Sequence, residues 1–388
     1  MKLLHVVPTY APAWRYGGPI RSVHGLCKAL AARGHEVTVA TTNVDGDGES
    51  AVPLGIATTM DGVRVHYFES RRLRRLYYSP PLGRFLDDAV PTADVVHTHS
   101  VFLWPTTRAA RAARRFGVPY VVSPRGMLVP DLIRKRSRFA KNAWIALFER
   151  TNLEAASAIH STSAVETAEL RRLGLALPEI IEVPNGVDTD LLPQADEPSR
   201  DPSLPADYAA FLGRLNWKKG LERLLEALAL DRTLFLVLAG NDEAGFRARL
   251  EAMAERLGVA SRVHFAGFVD GSAKSRLLRH AAAVVLPSDS ENFGNSLLEA
   301  MALGTPVVAT PGVGLADLIR DRRCGLVAEP DAASIGSAIR RLRDDAELRR
   351  TMGENGMRAA RERFSWDGIA ARFEKHYLEM LDRRAARA

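Results

Sequence analysis

Short apolar runs alternate with amphipathic helical stretches along this chain, and the alternation is interrupted once, near the middle. Leu3–Val7, Val37–Thr41, Val63–Phe68, Val95–His97, Tyr120–Ser123, Ala158–His160 and Ile180–Val183 read as strands. Helical patterns fill most of the gaps between them, which predicts a parallel sheet with helices on both faces. Pro193 to Pro205 is rich in Pro, Asp and Ser, the chemistry of a linker. The alternation resumes with Tyr208–Gly213, Leu234–Gly240, Val263–Phe265, Ala283–Pro287 and Val307–Thr310. A second α/β domain follows. The length of 388 residues suits two domains of roughly 100–200 residues each, and each half is long enough to bury its own core. The end of the chain departs from the pattern. Trp366 to Leu381 sets Ile369, Phe373, Tyr377 and Met380 on one helical face, with no strand after it. That face must be buried, on its own domain or back on the first.

Composition narrows the setting. Cys27 and Cys324 are the two cysteines, far apart and in no metal-ligand spacing, so a reducing compartment is the natural reading. No apolar run approaches the roughly 20 residues that cross a bilayer, and Met1 to Pro8 reads as a first buried strand rather than a signal peptide. Net charge is +7, and nearly all the excess lies in residues 1–190, which hold 24 Lys+Arg against 18 Asp+Glu. Two clusters carry it: Arg71, Arg72, Arg74 and Arg75, then Arg134, Lys135, Arg136 and Arg138. With Leu73, Leu76, Tyr77 and Tyr78 interleaved, the first suits contact with an anionic membrane surface. A plain solvated face is an equally open reading. No nucleic-acid-binding signature accompanies the charge, so nucleic acid is not expected as a partner.

Two segments could carry chemistry. Arg214-Leu-Asn-Trp-Lys-Lys-Gly220 directly follows the first strand of the second domain. Ligands of doubly wound sheets bind beyond the carboxyl ends of strands. Arg214 and Lys219 therefore emerge where a phosphate would sit, as fixed cations for a leaving diphosphate. The bland alternative is a basic turn. The second segment, Glu291-Asn292-Phe293-Gly294-Asn295-Ser296-Leu297-Leu298-Glu299, follows the strand at Ala283. Gly294 permits close backbone approach. The helix opening at Asn295, Ser296 and Leu297 offers free N–H groups to an anion. Glu291 and Glu299 can accept hydrogen bonds from sugar hydroxyls, or serve merely as a cap and a surface charge.

Glu291 and Glu299, with seven residues between them and followed by Ala-Met-Ala-Leu-Gly-Thr-Pro-Val-Val-Ala, resemble the signature of family 4 GT-B glycosyltransferases. Further pieces agree in order: Gly17-Gly18-Pro19, Asp94-Val-Val-His97-Thr-His99, Val183-Pro-Asn185-Gly-Val-Asp188, Gly213-Arg-Leu, Lys218-Lys-Gly and Phe364-Ser-Trp366. The resemblance spans essentially the whole chain. It implies two Rossmann-like α/β domains facing across a cleft, 1–190 on the acceptor side and 191–365 holding the nucleotide sugar. Residues 366–388 would form a helix crossing back to the first domain.

The resemblance also implies roles. Arg214 and Lys219 would hold the donor diphosphate and Glu299 the ribose. Glu291, with the backbone at Asn292, Phe293, Gly294 and Asn295, would hold the transferred sugar; Ser296 and Leu297 open the anion-binding helix. Gly18 would let the backbone approach the diphosphate and acceptor. His99 would reach the sugar. By their alternation His97 and His99 face one side if the strand continues that far; the expectation is that it ends, leaving His99 alone to reach the ligand. A lone strand-end histidine, taken without the family, is more often structural. Ser123-Pro-Arg125-Gly126-Met127-Leu128 is similar to a variant in exopolysaccharide-type members, which makes Arg125 a candidate for a phosphate of the donor or of a lipid-diphosphate acceptor. Asn292 departs from the family, where glycine or another small residue is common.

The expected reaction is metal-independent hexosyl transfer with retention, from a nucleoside-diphosphate sugar to a glycan or lipid-linked acceptor. It needs no cofactor, and belongs in the cytoplasm, peripheral to the membrane, in surface polysaccharide synthesis. Asp45-Gly-Asp47 and Asp188-Thr-Asp190 have Asp-x-Asp spacing, but neither follows a strand that would aim it at a diphosphate. Gly312-Val-Gly314 is a weak glycine-rich match beside the donor sugar. Competing readings are a non-catalytic nucleotide-sugar scaffold, a sugar-nucleotide epimerase, and a phosphorylase, the last lacking a distinct cofactor-lysine signature.

Overall fold

A computed structural model describes residues 1–129, 144, 148–188, 201, 204–205, 207–243 and 245–386. The chain divides into two compact units, one of residues 1–186 with 366–388 and one of residues 187–365. Both are Rossmann-like. The second basic cluster and most of the Pro-rich linker lie outside the described residues.

In the first unit the strands are β1 (Lys2–Val6), β2 (Glu36–Thr42), β3 (Val44–Asp45), β4 (Gly48–Glu49), β5 (Ala57–Met60), β6 (Val63–Phe68), β7 (Val95–His99), β8 (Tyr120–Ser123), β9 (Ala158–Ser161) and β10 (Ile180–Glu182). Eight of them form one sheet in the order β10-β9-β8-β7-β1-β2-β6-β5. Only β5 runs antiparallel to its neighbour. β1 lies between β2 and β7, so the winding direction reverses beside it, and the crevice at such a switch point is where doubly wound sheets bind ligands. The β3–β4 hairpin turns through Gly46 at φ +62°. This makes Asp45-Gly-Asp47 a turn, as its composition implies.

The terminal helix, Trp366–Ala385, belongs to this unit. Ile369, Phe373, Tyr377 and Met380 are buried in one cluster with Leu26 and Leu30 of the first helix, Gly18–Ala32. The apolar stripe is thus covered by the first domain. Trp366 is seated between two glycines. A Cβ on Gly25 would fall 2.3 Å from its indole Cε2, and one on Gly186 2.4 Å from Cδ2. Gly25→Leu is therefore expected to expel the indole and destabilise this unit by about 3 kcal/mol, the upper range for overpacking. Urea unfolding followed by tryptophan fluorescence measures this; an unchanged midpoint would refute the seating.

The second unit holds β11 (Ala209–Leu212), β12 (Leu236–Ala239), β13 (Val263–Gly267), β14 (Ala283–Leu286), β15 (Val307–Ala309) and β16 (Gly325–Val327). All neighbours are parallel, in the order β13-β12-β11-β14-β15-β16. The strands carry near-continuous apolar runs because helices cover both faces. Here the switch point falls between β11 and β14. Both cysteines are buried as free thiols, one in each unit. No described helix is long and apolar enough to cross a membrane.

Candidate functional site

In the second unit, the loops after β11 and β14 bring Lys219 and Glu291 together at the switch point. After β11, Arg214 is largely exposed and its Nη1 lies 3.0 Å from Glu243 Oε2. Asn216 Nδ2 donates to the same oxygen at 3.1 Å, and Asn216 Oδ1 accepts from Lys218 N at 3.0 Å. This caps a short turn, Trp217–Lys219, which aims Lys219 at the loop after β14. The loops touch closely. Gly220 has φ +64°, and a Cβ there would sit 2.2 Å from Pro287 O. Lys219 Nζ is ion-paired with Glu291, and both side chains are partly enclosed.

Glu291 is held by the next loop. Its N–H donates to Gly312 O at 3.0 Å, and its carbonyl accepts from Gly314 N at 2.8 Å. A Cβ on Gly312 would fall 2.1 Å from Asp289 O. The weak Gly-x-Gly match thus has a physical purpose: it brings backbone against backbone to fix Glu291. Gly294, at φ +101°, begins the helix Asn295–Ala302, which has no side-chain cap. Asn295 and Ser296 are partly exposed there. Phe293 and Leu297 point inward to the core, and Phe293 meets Phe364 edge-on. These two can therefore serve a ligand only through their backbone.

Glu299 Oε1 lies 3.0 Å from Lys274 Nζ, with the lysine side chain almost wholly buried. Lys274 was not singled out from the sequence. It sits on the helix Gly271–Arg279, and no local motif marks it. A buried lysine fixing one carboxylate oxygen leaves the other to accept hydroxyls.

In the first unit a second polar centre lies at the switch point, richer than the sequence pattern suggests. His5 is in register with His97 across β1 and β7, and His99 with Ser123 across β7 and β8. The expectation that the strand ends before His99 is corrected: β7 runs through it. His97 and His99 are both buried, with rings stacked at 4.2 Å. Alternation along the strand puts both on one face, and the terminal helix covers that face.

The hydrogen bonds fix the tautomers. His160 Nε2 donates to Val183 O at 2.7 Å, so its Nδ1 accepts from Ser123 Oγ at 2.6 Å. Ser123 Oγ in turn accepts from His97 Nε2 at 2.6 Å, and His97 Nδ1 accepts from Tyr377 O–H at 2.7 Å. A parallel chain starts at Arg125. Its Nη2 donates to His99 Nδ1 at 3.2 Å, so His99 Nε2 donates to His5 Nδ1 at 3.0 Å. Arg125 Nη1 also donates to Ser22 Oγ and Asn185 Oδ1, each at 3.0 Å.

Burial pushes His5 and His160 down to about 3, helped by the charge of Arg125. Burial likewise holds His97 and His99 well below the usual imidazole value. Nitrogens of His5, His97 and His99 approach within 4.8 Å of one another. Both nitrogens of His97 and of His99 already have partners, and the guanidinium beside them opposes a cation. Gly17 takes φ +69° with open space where a Cβ would stand, and Gly18 opens the first helix.

Outside these centres, Arg71 pairs with Glu69, and Arg74 with Glu49 at 3.0 Å. Arg72 and Arg75 are exposed, as is Leu73. Asp188 is exposed at the start of the second unit, and Asp190 lies outside the described residues.

Two Rossmann-like units with largely parallel sheets, one with a lysine–glutamate pair and an uncapped helix start at its switch point, define the GT-B architecture. Residues 197–359 match the family described as glycosyl transferases group 1, and residues 17–186 match the glycosyl transferase 4-like domain. The D-inositol 3-phosphate glycosyltransferase of Xylanimonas cellulosilytica is 31% identical over 402 residues, covering 96% of this chain and 94% of that one. The chain belongs to the family of group 1 glycosyl transferases. Among solved structures, sucrose-phosphate synthase from Thermosynechococcus elongatus superposes with TM-score 0.79 at 24% identity, covering 98% of this chain and all of that one. Anabaena Alr3699/HepE in complex with UDP-glucose does so with TM-score 0.72 at 21% identity, again covering 98% of this chain and all of that one. At these identities the likeness shows the fold.

Proposed function

We propose that this glycosyltransferase moves a hexose, with retention and without a metal, from a nucleoside-diphosphate sugar to a hydroxyl of a glycan or lipid-linked acceptor. The observation that carries the reading is the convergence of Lys219, Glu291 and the Asn295 helix start on one switch point. It supplies a cation, a hydroxyl acceptor and an anion-binding helix end together. HepE, which shares the fold, forms a complex with UDP-glucose, and this supports a donor of the same class.

Arg214 and Lys219 receive the diphosphate, with the N–H groups that open the helix at Asn295, Ser296 and Leu297 around it, while the backbone from Asn292 to Asn295 lies along the sugar. Glu299, steadied by Lys274, takes the ribose. Glu291 orients the sugar. As the bond to the sugar breaks, charge grows on the departing phosphate, and the fixed cations and helix dipole stabilise it. The departing phosphate takes the acceptor proton on the same face. Gly18 leaves room for substrate at the first unit. His99, whose two nitrogens are engaged, positions Arg125 rather than contacting the sugar. The setting we favour is surface polysaccharide synthesis at the cytoplasmic face of the membrane, reached through Arg72, Leu73 and Arg75. Full activity on a soluble acceptor, with no binding to anionic liposomes, would remove that setting.

A thermal-shift panel of UDP, GDP, ADP and dTDP with their sugars tests the donor site. One diphosphate should raise the melting temperature, since a ligand of the native state alone must stabilise it. Arg214→Ala should abolish the rise. A rise that persists in the variant would remove Arg214 from the site. A changed sugar nucleotide in the absence of acceptor would favour the epimerase reading.

A further inference from the structure

Arg125 is not explained by the donor site. It stands on the loop after β8, at φ +55°, followed by Gly126 at φ +75°. A non-glycine residue held at positive φ is uncommon and tends to mark functional sites. Its guanidinium is enclosed by neutral partners only: Ser22 Oγ, Asn185 Oδ1 and His99 Nδ1. Among the described residues no carboxylate pairs with it. Glu166 acts on it from a distance, its own oxygens taken by Gly126 N, Thr162 N and Thr162 Oγ1, each at 2.8 Å.

Donors also outnumber acceptors here. Arg125 Nε is buried with no partner, and so is His5 Nε2, the nitrogen that bears the proton once His5 Nδ1 accepts from His99. Burial lowers Arg125 only to about 10, so it stays charged at neutral pH. The first helix, Gly18–Ala32, adds positive potential. It has no side-chain cap and no acid in its first turn, and Ser22 lies one turn inside it. Arg125 is half-buried, and a charge drawn partly out of water without a counter-ion is costly. A surplus of donors and a lone cation call for an oxyanion.

We propose that the first unit carries its own oxyanion site, centred on Arg125 beside the start of the Gly18–Ala32 helix, which receives a phosphate or carboxylate group of a substrate. The guanidinium fork matches either group in two parallel hydrogen bonds. The proposal deepens the transferase reading, on which it rests, by requiring that one substrate bear an anionic group besides the donor diphosphate: an acceptor phosphate, or a carboxylate on an acidic sugar.

The test uses the full chain with Lys219→Ala, which silences the diphosphate site, at constant ionic strength. Inorganic phosphate and glucuronate are titrated against chloride, and the melting temperature of the first unit is followed. At least one anion should stabilise the protein at millimolar concentration, and Arg125→Gln should lose that response. Phosphate alone would identify a phosphorylated substrate, glucuronate alone an acidic sugar. Should Arg125→Gln not fold, Arg125→Lys keeps the charge but not the fork, and its anion affinity should fall about tenfold. Neither anion acting beyond chloride, or an unchanged response in the variant that folds, would overturn the proposal. A purely structural arginine would shift the baseline melting temperature and leave no anion-dependent difference. Because nucleotide binding is not read, failure here leaves the donor-site reading untouched.

Discussion

Glu291→Ala should reduce sugar transfer by about 10²–10³-fold, the usual loss when one electrostatic contact to the reacting centre is removed, while the free nucleoside diphosphate binds more tightly. Glu291 does two things in the unliganded protein. It offers oxygens for sugar hydroxyls, and it neutralises Lys219 through their ion pair. Removing it deletes the sugar contact but releases the ammonium for phosphate. Affinity for the bare diphosphate should rise roughly fivefold, about 1 kcal/mol, in line with one partly enclosed charge pair. The backbone bridge from Glu291 to Gly312 and Gly314 survives the truncation, so the loop should keep its path. Isothermal titration of the diphosphate beside a transfer assay separates the two effects. Weakened diphosphate binding would mean that the carboxylate organises the phosphate site, contrary to this account.

Acid should weaken the first unit well above the pH at which surface carboxylates titrate. His5 and His160 are held down to about 3, and His97 and His99 also lie well below their ordinary value. Above pH 6.5 all four are neutral in both states, and stability does not depend on them. Below it the unfolded chain takes up protons that the folded unit refuses. Each histidine then costs about 1.4 kcal/mol of stability per pH unit, until pH falls through its folded value. At pH 5 that is about 2 kcal/mol for each of His5 and His160, and His97 and His99 act in the same direction. His35 and His66 are lowered too and act in the same direction. The depressed carboxylates Asp231, Asp331, Asp344, Glu347 and Glu374 lose their contributions only below about pH 4–4.5. Urea unfolding from pH 8 to pH 5 should therefore show stability falling from pH 6.5 downward. A flat profile over that interval would show that the imidazoles protonate in the folded state.

The interior strands were legible because parallel strands buried on both faces are apolar throughout, and all twelve runs read from the sequence fall on strands of the two sheets. The strands that escaped notice sit at edges. Ala57–Met60 alternates between exposed and half-buried residues, and Gly325–Val327 is three residues long and opens on glycine. Neither offers a run to read. At the candidate site, the loop motifs placed Lys219, Glu291 and Glu299 because their spacing is local. Lys274 reaches Glu299 from another helix through folding alone.

The histidine network had a signal that went unused. His5, His97 and His160 each interrupt an apolar strand just before its end, and such positions line up at the carboxyl edge of a parallel sheet. Tyr377 could be placed on the buried stripe of the last helix, but not on the ring it would meet. Thr98 and His99 are polar, yet the ladder continues through both.

The most direct test of the central claim is a crystal structure of the full chain with the nucleoside-diphosphate sugar selected by the thermal-shift panel. The diphosphate should lie beside Lys219 Nζ and the N–H groups opening the Asn295–Ala302 helix, with sugar hydroxyls on Glu291 and the ribose on Glu299. A diphosphate seated elsewhere, or one held through a metal by Asp45 and Asp47, would contradict the claim.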